Sequence, residues 1–382
     1  MRDHRQTIQY IAPEDHKMLA QAELLVIDEA AAIPLPIVRN LLGPYLVFMS
    51  STINGYEGTG RSLSLKLLDS LRKESTVSGA SRQLEEITLD ESIRYAPSCP
   101  VENWLNQLLC LDAQLPKAIC TLPSPAQCQM YWVNRDVLFS GNASSEAFLS
   151  QLMSLYVASH YKNQPNDLQL LSDAPAHHLF VLCAPIKPNQ SSLPLPLVVL
   201  QVAHEGRLAK ESIKSALRQG DKRHGDMIPW LVSEQFRQMD FGELNGARIV
   251  RIATHPDFLR AGYGKEALRQ LEAYYKGDIP LREDYVEPEE IVEVDEVDTL
   301  LTEKIEPKKE MAIMCPLDGR KAERLDWLGV AFGLTHQLLS FWNKVIQNLN
   351  IWVWHVFQKV FVLQVFVRVR NITRLRKNFF RE

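Results

Sequence analysis

The chain has little cysteine, and its six cysteines at 99, 110, 120, 128, 183 and 315 form no C-x-x-C pair and no His/Cys cluster with metal-ligand spacing. A structural zinc is therefore not expected, and a reducing compartment is the default reading. No apolar h-region follows Met1, which argues against a secretory signal. The apolar run "IWVWHVFQKVFVLQVFVRV", Ile351 to Val369, is interrupted by His355, Gln358, Lys359 and Gln364, so it reads as a buried or mispaired segment and not as a membrane span. Positive charge is not in excess either: the formal net charge is -4, which does not suggest a nucleic-acid binder. Whole-chain charge hides local asymmetry, however, and an RNA site needs only one basic face. Arg368 to Arg381, "RVRNITRLRKNFFR", is strongly basic, while "REDYVEPEEIVEVDEVDTLLTEKIEP" is acidic and reads as a solvated, mobile loop or linker. No internal repeat is evident.

What is present suits a globular chain: 382 residues, 46% hydrophobic and 23% charged, are enough for two or three domains. Leu24 to Ile27 is a short continuous apolar run, as expected of a strand buried on both faces of a parallel sheet, and it ends in Asp28-Glu29. This is a Walker-B pattern, in which Asp28 would hold Mg²⁺ through water and Glu29 would polarise the water attacking a γ-phosphate. The bland alternative is an acidic pair opening a surface helix. A second apolar strand, Tyr45 to Met49, follows, and then "GYEGTGRS", Gly55 to Ser62, which has P-loop spacing with Arg61 where lysine belongs. Arginine's broad planar fork fits a phosphate from the side better than from within the cradle. The stretch also comes after the Walker-B strand, where a coupling or sensor loop would be, so it is not read as the P-loop.

At these residues the chain resembles a known family. "VIDEAAAIPLPIVRNLLGPYLVFMSSTINGYEGTGRSLSLKLL" is similar to the RecA-like ATPase module of the RNA cytidine acetyltransferases, a family that includes the eukaryotic nucleolar enzyme and the bacterial tRNA enzyme. The resemblance implies a Walker A upstream of Met1, so that this chain holds a truncated ATPase half with an incomplete site for ATP and Mg²⁺. "ESIRYAP" matches as well and implies that Arg94 touches ATP; a surface salt bridge is the alternative for that residue.

Proline-rich breaks, "RYAPSCP" and "LPKAICTLPSPAQ", mark domain limits. Beyond them "SEAFLSQLMSLYVASHY" places Phe148, Leu152, Leu155 and Tyr156 on one helical face, and "HLFVLCA" and "LPLVVLQVA" read as strands. In "ARIVRIATHPDFLRAGYGKEALRQLEAYY", Arg248 to Thr254 reads as a strand and Lys265 to Tyr275 as an amphipathic helix with Ala267, Leu268, Leu271 and Tyr275 inward. Gly262 and Gly264 clear side chains from the turn between them, which makes an anion site of backbone N–H groups and a helix N-terminus. Close strand–helix packing alone, or a nicotinamide site with Ala267 as its third small residue, would use the same glycines. The stretch resembles motif A of the GNAT acetyltransferases. That implies acetyl-CoA as cofactor, with Ile252, Ala253 and Thr254 pairing through their backbone with its pantetheine arm and Leu259, Arg260, Ala261, Gly262, Tyr263, Gly264 and Lys265 around its pyrophosphate. Leu259 stands where that loop usually begins with a polar residue, and Arg260 is displaced by one.

The family resemblance implies transfer of acetyl to the exocyclic amine of cytidine in rRNA and tRNA, accompanied by ATP hydrolysis. It also implies a nuclear, nucleolar location, and it admits RNA-guide or adaptor proteins and a homodimer. That amine is a poor nucleophile, so a site must hold the base still and accept its proton. Histidine suits the task near neutral pH, and the candidates are His160, His177, His178 and His255 with Asp257. His178, entering an apolar strand, reads as core, and His255 as a loop-orienting residue. His160 is taken as the base, with Tyr161 supplying a hydroxyl and Lys162 a phosphate contact. "AERLDWLGVAFGLTHQLLSFWNK" continues the resemblance and places Lys344 near the cofactor. After Lys344 the match breaks off, so a missing final strand would leave a sheet edge exposed.

The expected fold is α/β: a partial RecA-like parallel-sheet module over residues 1–97, a connector over 98–144, a mixed α/β GNAT domain over 145–344 with an acidic insertion at about 281–310, and a divergent basic tail over 345–382. Two alternatives to an RNA acetyltransferase stand: a catalytically incomplete remnant that binds coenzyme A or a partner, and a protein N-acetyltransferase.

Overall fold

In a computed structural model of the chain, the described residues are 7–30, 33–51, 71–72, 83–89, 91, 93–113, 115, 123–159, 165–186, 193–219, 225–283, 285, 312–333, 335–345, 351–357 and 361–369. The chain divides into two compact units, one of residues 1–114 with 156–168 and one of residues 115–155 with 169–382.

In the first unit, β1 (Leu24–Ile27) pairs in parallel with β2 (Leu46–Met49), and α1 (Leu35–Leu41) is the crossover helix. The proline at the start of α1 suits a helix entry, where the first N–H groups have no carbonyl to bind. Leu19, Ile27, Ala30, Val38 and Leu41 form the core. The expectation that β1 is buried on both faces fails. Leu24 is 51% and Val26 66% exposed, and Leu46 and Phe48 opposite them on β2 are exposed as well. One face of this pair is packed under α1 and the other has no layer on it among the described residues. The unit also holds α2 (Pro100–Leu108).

The second unit is built on one eight-stranded mixed sheet. In chain order its strands are β3 (Gln129–Val133), β4 (His177–Cys183), β5 (Pro196–Gly206), β6 (Asn245–Thr254), β7 (Met314–Pro316), β8 (Trp327–Gly333), β9 (Ile351–Phe357) and β10 (Phe361–Val369). Across the sheet the order is β7-β3-β4-β5-β6-β8-β10-β9. Every neighbouring pair is antiparallel except β6 and β8, which are parallel. The continuous apolar runs of β4 and β5 make them the middle of the core, with Leu179 to Cys183 and Leu197 to Leu200 fully buried.

The helices among the described residues of the rest of the chain are α3 (Arg135–Leu138), α4 (Ala143–Ser159), α5 (Pro165–Asp173), α6 (Lys210–Gln219), α7 (Met227–Phe236), α8 (Tyr263–Lys276) and α9 (His336–Val345). Phe148, Leu152, Leu155 and Tyr156 of α4 are each buried, as their spacing predicts. α8 runs further at both ends than its apolar spacing suggests, and it buries Ala267, Leu268, Leu271, Tyr274 and Tyr275. Gly277, at φ 77°, ends it in the left-handed conformation that glycine adopts without strain. No helix among the described residues is long and apolar enough to cross a membrane.

The expected open edge beyond β8 is not there. The run after Lys344 forms the hairpin β9–β10, and β8 is paired with β10 along the whole length of β8, from Trp327↔Val369 to Gly333↔Leu363. Alternation in "VLQVFVRV" is strand periodicity, and pairing satisfies the edge of β8. Residues 286–311 of the acidic stretch and 370–382 of the basic tail lie outside the described residues.

Candidate active site

A gap opens between β6 and β8. Their pairing runs from Gly246↔Trp327 to Ile249↔Val330, whereas β6 continues to Thr254 and β8 to Gly333. The cause is local. On its other side β6 pairs Ile249 with Val202 and Arg251 with Gln201, so Val250 is an extra residue, a β-bulge. A bulge bends its strand and increases its twist, and here it does so where β6 parts from β8. Gly246 anchors the closed end: a Cβ there would lie 1.8 Å from the indole of Trp327, so only glycine lets that ring lie against the strand. Beyond the bulge, Ile252, Ala253 and Thr254 still pair with Leu200, Val199 and Val198 of β5. Strand backbone groups alternate between edges, so those turned away from β5 face the gap.

The glycine turn stands at the mouth of this gap. Gly262, at φ 95°, is the N-cap of α8, and Arg260 before it is also left-handed at φ 65°. The backbone N–H of Glu266 closes the first turn of the helix on Gly262 O at 3.0 Å. The amides of Tyr263, Gly264 and Lys265 therefore have no carbonyl of their own helix to bind, and they point out of its positive end. A Cβ at Gly264 would lie 3.3 Å from Thr254 Oγ1 and 3.8 Å from both Ile252 Cδ1 and Phe341 Cζ. The start of α8, the last residues of β6 and α9 thus converge on one backbone-lined corner. Leu259 (61% exposed), Arg260, Ala261 and Lys265 form its exposed rim, and Tyr263 is buried, its hydroxyl donating to Pro123 O at 2.9 Å.

His255 holds the loop between β6 and α8. It is 2% exposed, its N–H donates to Leu197 O at 3.0 Å, its Nδ1 accepts from Asp257 N–H at 3.3 Å, and its ring stacks on Phe258 at 4.7 Å. That is the orienting role expected of it. Phe341 was not foreseen; its only signal was its place in "FW", one turn before Lys344. Lys344 is exposed on α9, and three residues' spacing puts it on the same helix face as Phe341.

The C-terminal end of α8 is different in kind. His178 of β4, His204 of β5 and Glu323 gather there, with His178 Nε2 3.7 Å and His204 Nε2 3.9 Å from the Glu323 carboxylate. Arg320 grips the same carboxylate with both terminal nitrogens, donates to Tyr274 Oη at 2.5 Å, and lies 5.0 Å over the Trp132 ring. Burial lowers both histidines, His178 to about 4, although Glu323 acts the other way; Arg320 lowers both, and His204 lowers His178. Burial works to raise the Glu323 carboxyl, but the hydrogen bonds and charge of Arg320, with His178 and a backbone hydrogen bond, together outweigh it and hold Glu323 below its usual range. His178, read as core, is half-buried and a member of a polar cluster. His177 beside it accepts from Gln201 Nε2 at 2.9 Å, and burial lowers it to about 4.

In the first unit, Asp28 and Glu29 stand at the carboxyl end of β1. Asp28 Oδ1 accepts from Ser50 Oγ at 2.6 Å and from Glu29 N–H at 3.0 Å, and Glu29 is left-handed at φ 47°. Arg94 is exposed. Arg61, His160 and Tyr161 lie outside the described residues.

Comparison with known proteins places these features. The description "RNA cytidine acetyltransferase NAT10/TcmA, helicase domain" matches residues 1–112, and "GNAT acetyltransferase 2" matches residues 151–356, past the point where the sequence resemblance had stopped. Proteins named RNA cytidine acetyltransferase are similar to 90% of this chain: those of Mus musculus and Homo sapiens are each 55% identical over 364 residues, and that of Saccharomyces cerevisiae is 51% identical over 379. The chain spans 36% of the length of each of these three relatives. With its bulged, splayed strand pair, its glycine turn and a match over more than half its residues, the chain belongs to the GNAT acetyltransferase 2 family.

Proposed function

We propose that the chain is the acetyl-transfer portion of an RNA cytidine acetyltransferase, moving acetyl from acetyl-CoA to the exocyclic amine of cytidine in rRNA and tRNA. The observation that carries this reading is the 55% identity, over 90% of the chain, to proteins of that name. The gap and the glycine turn fit the cofactor: a corner lined by backbone amides at a helix N-terminus, where glycine replaces a side chain at the closest approach, suits a pyrophosphate on an extended amide-bearing arm. Bound there, acetyl-CoA supplies an activated thioester. The backbone of Ile252, Ala253 and Thr254 holds the arm, the loop from Leu259 to Lys265 surrounds the pyrophosphate with the free amides of Tyr263, Gly264 and Lys265 bonding it, and Arg260 and Lys344 add positive charge at the rim.

The amine of cytidine must be held still and must lose a proton as it is acylated. His177 and His178, lowered to about 4, are too weakly basic to take that proton at neutral pH, and His255 is occupied as a turn cap. This supports His160 as the base, with Tyr161 as a hydroxyl partner and Lys162 as a phosphate contact. The same reading has Asp28 hold Mg²⁺ and Glu29 polarise water in an ATP site shared with Arg61 and Arg94, and it sets the product in the nucleolus. Ser50 keeps the Asp28 carboxylate in place for that task.

The test is to supply the chain with labelled acetyl-CoA and either RNA or amine-bearing peptides. The reading expects acetylcytidine in the RNA, and His160→Ala lowering the rate about 10²–10⁴-fold with little change in acetyl-CoA affinity. Acetylation of peptide amines without acetylation of RNA would leave the family standing and overturn the substrate. Binding of coenzyme A with transfer to neither would favour a non-catalytic remnant.

A further inference from the structure

The cluster at the C-terminal end of α8 contains a buried polar atom that no described residue satisfies. His204 Nε2 is buried and has no hydrogen-bond partner among the described residues, although it points toward Glu323. Buried nitrogens of this kind are rare, and each calls for an explanation such as a water or an ion. Around it one ligand atom each from His178, His204 and Glu323 lie within 4.8 Å of one another. His178 Nε2 lies 3.7 Å from Glu323 Oε1 and His204 Nε2 lies 3.9 Å from Oε2, each within a few tenths of an ångström of the spacing of about 3.4 Å between ligands of tetrahedral zinc, so the carboxylate faces both imidazoles with one oxygen each.

We infer that His178, His204 and Glu323 form a zinc-class metal site that ties β4 and β5 to the segment around Glu323. Two imidazoles and one carboxylate suit zinc and neighbouring transition metals, whereas magnesium and calcium take oxygen donors. The three ligands come from two strands and from the segment entering β8, so one ion would cross-link parts far apart in sequence.

Two features of the cluster set the terms of binding. Trp132 Nε1 donates to His178 Nδ1 at 3.3 Å, so His178 carries its own proton on Nε2 before the metal arrives. Ligation through Nε2 shifts that proton to Nδ1 and gives up the long indole hydrogen bond. Arg320 already neutralises Glu323, and each carboxylate oxygen has a second lone pair for the ion. The site therefore starts without net negative charge and selects by nitrogen ligation and shape. It is also remote from the acetyl-CoA corner: Tyr275, whose ring lies 6.0 Å from that of His204, is about 17 Å along α8 from Gly264.

The test uses the untagged chain, stripped with a chelator and titrated with Zn²⁺, and with Co²⁺ as a visible-absorption probe. One equivalent of metal per chain is expected, with tetrahedral cobalt bands, a raised thermal midpoint in Zn²⁺ and no rise in Mg²⁺. His204→Leu and Glu323→Gln should each weaken Zn²⁺ binding at least about tenfold and abolish the thermal shift, with cooperative unfolding showing that the variants fold. No stoichiometric binding by the wild-type chain would overturn the site. So would binding that both folded variants retain unchanged.

Discussion

The two ends of α8 do opposite things with the same helix. At the start, Gly262 and Gly264 remove side chains so that backbone amides reach the corner beside Thr254. At the finish, side chains crowd in: His204 lies 4.6 Å from His178 and 6.0 Å from Tyr275, and Arg320 joins Glu323 to Tyr274. The difference follows from what each end meets. The start faces the gap left by the bulge in β6, and the finish lies over the fully paired ends of β4 and β5. Backbone chemistry at one end and side-chain chemistry at the other should therefore be separable by mutation.

The largest separation is expected from Glu205, next to His204 on β5. Its carboxylate is 2% exposed and accepts from Arg248 Nε at 2.5 Å and from the Ile228 N–H that begins α7 at 3.0 Å. Glu205→Ala leaves a largely buried guanidinium unpaired and a helix start without its acceptor. It should cost about 3–5 kcal/mol in chemical denaturation, with acetyl-CoA affinity of the folded protein unchanged. A matching loss of affinity would break the comparison.

Gly264→Glu should do the reverse. A side chain there meets Thr254 Oγ1, and its carboxylate sits where the pyrophosphate is placed, so calorimetry should show acetyl-CoA affinity down by about 10²-fold or more in a protein of near-normal stability. Unchanged affinity would remove the turn from the site.

The smallest effect is a pH dependence belonging to the finish. His177 and His178 have folded values lowered to about 4 from 6.5. Below about pH 6.5 the unfolded chain takes up protons that the folded chain refuses, so stability is full above that value and falls as pH drops toward 4. The loss should be on the order of 1–3 kcal/mol by thermal unfolding, and His178→Asn should flatten part of the slope. A slope that the variant leaves intact would place the titration elsewhere. The lowered Glu323 carboxyl adds its own loss only below its unfolded value of 4.5.

The same two ends show why some of this protein could be read from its residues and some could not. Two glycines between a strand and an amphipathic helix announce a bare backbone turn at a helix start, because the reason for them is local. The inward face of α8 and the acidic pair after β1 are legible for the same reason. The bulge at Val250 is not: nothing in "ARIVRIAT" marks an extra residue, which exists only relative to the register of β5. Phe341 meets Gly264 across a sequence gap that no spacing rule spans. His178, His204 and Glu323 form no motif because β4, β5 and the approach to β8 become neighbours only through the sheet order. The tail erred in the other direction. Judged by family likeness it looked foreign, but its apolar alternation already carried the strand that covers β8.

Hydrogen exchange with and without acetyl-CoA tests the division most directly. Slowed exchange is expected at the amides of Ile252 to Thr254 and of Gly262 to Lys265, while those of His178, His204 and Tyr275 keep their rates. Protection centred on the cluster at the C-terminal end of α8, or none at the glycine turn when the ligand is bound, would contradict the account.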